Sequence, residues 1–152
     1  MIVADILLII ISLAALIFAA ITDLKIKEVP DWLSYGLIAS GISIRLIHAL
    51  IFNEFDYFLY GLLGLIIMFI VGNILYHTKQ WGGGDSKLLM GLGATLATTP
   101  FYLDQSRIPF LATVFIYILL SGIIYALLWF VFFIFKDSRK FKEEFKDRKS
   151  VV

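Results

Sequence analysis

The chain has no cysteine, only three prolines, and little charge for its 152 residues. Without cysteine there is no disulfide, no thiol nucleophile, no cysteine metal site and no palmitoylation site. Charged residues make up 16%, against about 25% in an ordinary soluble domain, and hydrophobic residues 61%, against roughly 45–50%. Bases and acids nearly cancel, at a net +1, so the total says little about partners and the distribution of charge matters more. Mean hydropathy is +0.93. These figures exclude a soluble globular enzyme, a disordered protein and a nucleic-acid-binding domain. They describe an integral membrane protein.

A bilayer core of about 30 Å takes roughly 20 apolar helical residues, because open strands and loops leave backbone groups unsatisfied in lipid. Five runs qualify: Ile2–Thr22, Trp32–Phe52, Tyr57–His77, Ser86–Pro100 and Ile108–Phe135. They are continuous rather than alternating, so helices are expected. The predicted fold is an all-α polytopic transmembrane bundle of about five spans. The first run has no basic flank and leads into four more, so it reads as a span, not a removable signal. The fourth run, at 15 residues, rises only about 22 Å.

Basic residues favour the cytoplasmic side of a membrane. Lys25, Lys27, Lys79 and Lys87 flank the first, third and fourth runs, and Lys136, Arg139, Lys140, Lys142, Lys146, Arg148 and Lys149 follow the last. That is eleven bases on one side against Arg107 on the other. The expectation is an N-terminus outside, a C-terminus in the cytoplasm, and residence in the cell membrane. Trp32, Tyr35, Tyr76 and Trp81 then fall at the inner interface, and Tyr57, Tyr60 and Tyr102 at the outer. The organisation expected is a membrane domain over 1–135 and a basic cytoplasmic tail over 136–152, which anchors the chain and meets membrane lipid.

Two aspartates fall at the cytoplasmic ends of spans. Asp23 closes the first, and Asp85 opens the fourth after Gly82, Gly83 and Gly84. They are 62 positions apart in sequence yet at one membrane depth. Ionisable groups at such depths mark functional sites. Two close carboxylates cannot both ionise easily, so they share a proton. One then activates water while the other protonates a scissile carbonyl, with no metal and no cofactor. Three glycines in a row permit positive φ and a close approach by an extended substrate. Taken singly, Asp85 also reads as a helix cap and Asp23 as an interfacial charge. Helix dipoles favour negative charge on Asp85, at an N-terminus, and the proton on Asp23, at a C-terminus.

Gly82-Gly83-Gly84-Asp85-Ser86-Lys87-Leu88-Leu89, with Gly91 and Gly93 beyond, and Asp23 followed after six residues by Pro30-Asp31, resemble the two motifs of the type IV prepilin peptidases and archaeal preflagellin peptidases, the GxGD membrane aspartic proteases. The resemblance runs from about Ala20 to Gly93. It implies an endopeptidase that removes the leader of a type IV pilin-like or archaellin-like precursor, between a basic segment and a hydrophobic one, at the cytoplasmic membrane face. It carries Asp23 and Asp85 over as the catalytic pair, and Gly82 and Gly84 as motif glycines. Large bacterial members add a cysteine-bearing domain and N-methylate the product. This chain has neither that domain nor any cysteine, so a minimal peptidase core without methylation is expected. Thr22 precedes Asp23, where the presenilin-like branch has Tyr.

The remaining polar residues have plainer readings beside sharper ones. Glu28 and Asp31 are candidates to receive a basic substrate segment, although Asp31 also suits a cap after Pro30 and Glu28 a solvated site. Lys87 is a candidate to tune Asp85 or to snorkel to the surface. Asn73 is placed to support the site or to bond within the helices. Arg45 and His48 share a helix face and are expected to pair with Glu54, Asp56 or Asp5. Asp5 lies 18 residues, about 27 Å, from Asp23. Gly36/Ser40 and Gly61/Gly64 are small enough for close helix packing. A non-enzymatic transporter, channel or assembly subunit, with Gly82–Gly84 as a re-entrant loop, is the competing class. Its cation path would need mid-membrane polar residues that most of the spans lack.

Overall fold

The computed structural model describes residues 2–100 and 110–149, with the side chains of the last helix as far as 133. Tyr102 and Arg107 lie outside these residues. Among those described, every regular element is an α-helix: α1 (Ile2–Ile26), α2 (Asp31–Phe52), α3 (Phe55–His77), α4 (Gly83–Thr95) and α5 (Phe110–Lys149). The predicted all-α architecture of five helices is found. Four of them, α1, α2, α3 and the stretch Phe110–Phe133 of α5, are long and apolar enough to cross a membrane. The fourth run differs from expectation. It starts three residues earlier than predicted and stops five earlier, giving 13 residues that rise about 20 Å.

The chain forms two compact units, the first ending at Ala112 and the second beginning at Thr113. The second is the body of α5, which continues from its apolar part through the basic segment to Lys149 in one helix of 40 residues. The first contains α1–α4.

Within it, turns are sharp. Lys27 ends α1 in the left-handed region at φ 56°, and Asn53 and Lys79 do the same after α2 and α3, each at φ 57°. These short reversals fold α2 back along α1 and α3 back along α2. The short α4 packs against both α2 and α3. Apolar side chains give little net drive for helix association in lipid, where the tails are equally apolar, so close contact and hydrogen bonds decide packing. Gly64 on α3 and Gly93 on α4 supply the closest contact. A Cβ on either would collide with the other's carbonyl. Gly61 likewise leaves room for the Arg45 side chain, whereas a Cβ on Gly36 would meet only open space. Of the two predicted small-residue pairs, Gly61/Gly64 packs and Gly36 does not.

A helix that stops among apolar neighbours leaves its last carbonyls without donors. Arg45 on α2 supplies them. Its guanidinium is fully buried. Nε donates to the Ala94 carbonyl at 2.9 Å and Nη2 to the Thr95 carbonyl at 2.9 Å. Nη1 donates to the Tyr57 carbonyl at 2.9 Å, and Nη2 also reaches Thr98 Oγ1 at 3.1 Å. The cation stands 4.4 Å from the Tyr57 ring centre, and the Tyr57 hydroxyl donates to Asp5 at 2.7 Å. The partial negative charge at the α4 C-terminus and the Tyr57 π-face thus add to the charge of Asp5 in compensating the cation. Of the acids expected beside Arg45, Asp5 interacts with it electrostatically and is also bound by the Tyr57 hydroxyl. His48 does approach an expected partner, with Nδ1 3.8 Å from Glu54 Oε2. Tyr57 is 5% exposed, so it is a core residue and not part of an outer aromatic belt.

Gly64→Ala is expected to destabilise the bundle by about 1–3 kcal/mol through overpacking. Gly36→Ala should be neutral or gain up to about 1 kcal/mol from helix propensity. Arg45→Met should cost about 3 kcal/mol or more, because three buried carbonyls lose their donor at once. Thermal unfolding in detergent checks all three.

Candidate active site

The end of α1, the four-residue turn into α2, and the start of α4 meet at one end of the bundle. They enclose a cavity of about 300 Å³ lined by Asp23, Lys27, Glu28, Val29, Asp31, Gly82, Gly83, Gly84, Asp85 and Lys87. Every sequence-predicted site residue except Asn73 is here. Asn73 donates instead to the Phe69 carbonyl of its own helix at 2.7 Å. Among the described residues, no three His, Cys, Asp or Glu side chains gather to hold a metal ion. A larger cavity of about 830 Å³, which the sequence gave no sign of, opens at the other end of the bundle beside Glu54, Tyr57, Thr98 and Phe110. It contains neither Asp23 nor Asp85.

Asp23 sits in the last turn of α1. Its carbonyl accepts from the Lys27 N–H at 2.8 Å, which closes the helix, and the residue lines the cavity. Thr22, the residue before it, bonds back to the Ala19 carbonyl at 2.9 Å.

Asp85 is the third residue of α4. Gly82 is the cap, extended at φ −71°, ψ 160°. The Asp85 carboxylate accepts a hydrogen bond from the Gly82 backbone N–H, the acidic half of a capping box. Ser86 closes the same turn, its N–H and hydroxyl both donating to the Gly82 carbonyl at 3.1 Å. Asp85 is therefore not the cap itself. None of the glycines has positive φ, so the expectation that they provide left-handed backbone is corrected. Gly84 is needed for proximity. A Cβ there would lie 3.0 Å from the Val29 Cβ and 3.2 Å from its carbonyl. That contact brings the α1–α2 turn down onto α4.

The protein around Asp85 pushes its carboxyl above the ordinary carboxylate range, chiefly by removing water from one side. The Gly82 hydrogen bond opposes this, and the nearby charge of Asp23 adds to it. The dipole argument favoured ionised Asp85. Partial desolvation and a neighbouring carboxylate act in the opposite direction.

Lys87, two residues further on, is engaged elsewhere. Its ammonium donates to both oxygens of Asp31 at 2.7 Å and stands 5.7 Å from the Tyr35 ring centre. Pairing with Asp31 raises the Lys87 pKa. Asp31 opens α2 without capping it, because the cap is Pro30 and makes no side-chain bond. The Lys87–Asp31 bridge is exposed, so it orients the two helix starts more than it stabilises them. Glu28 lines the cavity and is exposed.

The raised Asp85 pKa fixes a sign. A carboxyl whose pKa is higher in the folded state contributes stability below its unfolded pKa and loses it as pH rises through the folded one. Asp85→Asn keeps an acceptor for Gly82 and removes the charge. It should be no less stable than the native protein at pH 7, and the difference should vanish near pH 4. Unfolding temperature against pH in detergent measures this, and a variant clearly less stable at pH 7 contradicts it.

Comparison with known proteins agrees with this architecture. Residues 10–131 match the model of the type IV leader peptidase family. Prepilin peptidase EppA of Methanothermobacter thermautotrophicus is 26% identical over 155 residues, covering 95% of this chain and 40% of that one. Preflagellin peptidases of Methanocaldococcus jannaschii and Methanococcus voltae are 31% and 29% identical over 87 and 99 residues. Those alignments cover 57% and 65% of this chain, and 37% and 42% of the relatives. The chain thus spans about two-fifths of the length of the curated relatives it matches. No solved structure matches it. With the family model covering most of the chain, and with five helices of which four are apolar enough to span a membrane, the protein belongs to the type IV leader peptidase family.

Proposed function

We propose that this chain is a membrane aspartic endopeptidase that removes the leader from a type IV pilin-like or archaellin-like precursor. The observation that carries the reading is one cavity lined by both Asp23 and Asp85, in a chain of the leader peptidase family whose similar proteins are named prepilin and preflagellin peptidases.

The chemistry follows from the two carboxyls. Asp85, with its raised pKa, holds the proton and Asp23 is the base. Asp23 takes a proton from water as the water oxygen attacks the scissile carbonyl carbon. Asp85 gives its proton to the carbonyl oxygen, which leaves a neutral gem-diol. Collapse breaks the C–N bond, the amine takes a proton from Asp23, and the diol proton returns to Asp85. The first N–H groups of α4 have no partner within the helix, so Gly83 and Gly84 offer donors to an extended substrate backbone. Glu28 faces the basic leader. Asp31, held by Lys87, shapes the entrance.

The distribution of lysine and arginine supports an outside N-terminus and a site at the cytoplasmic face of the cell membrane. In this reading residues 1–135 are the peptidase and 136–152 its basic cytoplasmic segment. No cofactor takes part, and N-methylation of the product is not expected.

The test is leader cleavage by purified protein in liposomes. The substrate is a precursor with a basic leader followed by a hydrophobic segment. Wild type should cut it once. Asp23→Ala and Asp85→Ala should fold and lose at least about 10³-fold in rate, as expected when one member of an acid–base pair is removed. Normal cleavage by either variant removes that aspartate from the mechanism.

A further inference from the structure

Asp23 and Asp85 lie on α1 and α4, which are joined by a buried side-chain hydrogen bond. The hydroxyls of Ser12 on α1 and Thr95 on α4 are 2.8 Å apart. Both residues are buried, at 2% exposure each. One hydroxyl donates to the other. The accepting group then donates to its own helix, Ser12 to the Leu8 carbonyl at 2.7 Å or Thr95 to the Gly91 carbonyl at 3.1 Å. Each hydroxyl keeps a local acceptor even without its partner.

The lengths of the two arms are nearly equal. Eleven residues from Ser12 to Asp23 rise about 16.5 Å, and ten from Thr95 back to Asp85 rise about 15 Å. Both arms run from the shared contact to the same cavity. The far side of the contact is also fixed, because Arg45 grips the carbonyls of Ala94 and Thr95.

We infer that Ser12 and Thr95 form a register pin that holds the two carboxyls at one depth, making them positioning residues for the aspartate pair. The other buried α1 residues between the contact and Asp23 are alanines, Ala15 and Ala19, which offer smooth surface and no axial direction. A hydroxyl pair does have a direction, and lipid offers no water to compete for it. A slip of one turn would move Asp23 by about 5.4 Å, enough to part the pair. Of the charged groups around the cavity, Lys27, Glu28, Asp31 and Lys87, none belongs to the pin, so substitutions at the pin leave them in place.

The inference rests on the aspartic peptidase reading for its catalytic consequence and on geometry alone for its register. Two measurements separate these. Cleavage is followed against pH for wild type, Ser12→Ala, Ser12→Thr, Thr95→Val and the double variant Ser12→Ala/Thr95→Val. Ser12→Ala should lower kcat by about tenfold or more, as a misplacement near 1 Å does, with little change in KM. Its alkaline limb should move to lower pH, because parted carboxyls share the proton less well. Ser12→Thr should recover both, and the double variant should be no worse than the worse single one.

The absence of cysteine permits the second measurement. Asp23→Cys/Asp85→Cys is treated with a short dithiol-reactive cross-linker, with and without Ser12→Ala. Cross-linking should fall when the pin is removed. Unchanged cross-linking, or a Ser12→Ala kcat and pH profile like wild type, overturns the pin even if the melting temperature drops. If cross-linking falls but wild type cuts no precursor, the pin holds and the peptidase reading fails.

Discussion

A helix of 13 residues that ends among apolar side chains needs donors for its last carbonyls, and Arg45 provides them. The site depends on this. Without that termination α4 would have to run on toward the opposite membrane surface, as the hydropathy of the chain suggests. With it, α4 can stay short and sit against α2 and α3, and its first turn lies level with the end of α1. The guanidinium carries a charge into the core at high desolvation cost. Four hydrogen bonds and an aromatic face offset that cost. The glycines of α3 and α4 then let the helices close around the termination.

At the other end of α4 the same economy of backbone applies. Asp85 both interacts with the backbone of the cap residue Gly82 and lines the same cavity as Asp23. The cap reading and the catalytic reading of this residue are therefore compatible. The hydrogen bond from Gly82 holds the carboxyl in one orientation, while the open side leaves it accessible to a substrate. Gly84 serves approach, since any side chain there would push away Val29 and with it the turn that links Asp23 to Asp31.

Much of this was legible in the sequence, for specific reasons. Long apolar runs in a chain this short of charge announce spanning helices, and α1–α3 and the start of α5 followed within a few residues. Asp23, Glu28, Asp31, Gly82–Gly84, Asp85 and Lys87 gather in one cavity because a span count alone assigns helix ends to faces. The ends of α4 were misjudged, because hydropathy cannot see a side chain from another helix taking over terminal carbonyls. The carbonyl partners of Arg45 were hidden likewise: charge pairing points to an acid such as Asp5, and nothing in the sequence marks a helix terminus as a second partner. Asn73 looked close to the site by depth, but depth does not give the direction a side chain faces. The roles of Gly72, Gly91 and Gly93 as contact points were also hidden, since a glycine in a helix carries no mark of what it touches. Lys27 and Lys79 in left-handed turns had no glycine to announce them.

Both aspartates, the arginine and the hydroxyl pair all belong to the compact unit that ends at Ala112. The groups that line and brace the cavity are therefore drawn from one continuous stretch of chain, so consecutive helices alone bring them together.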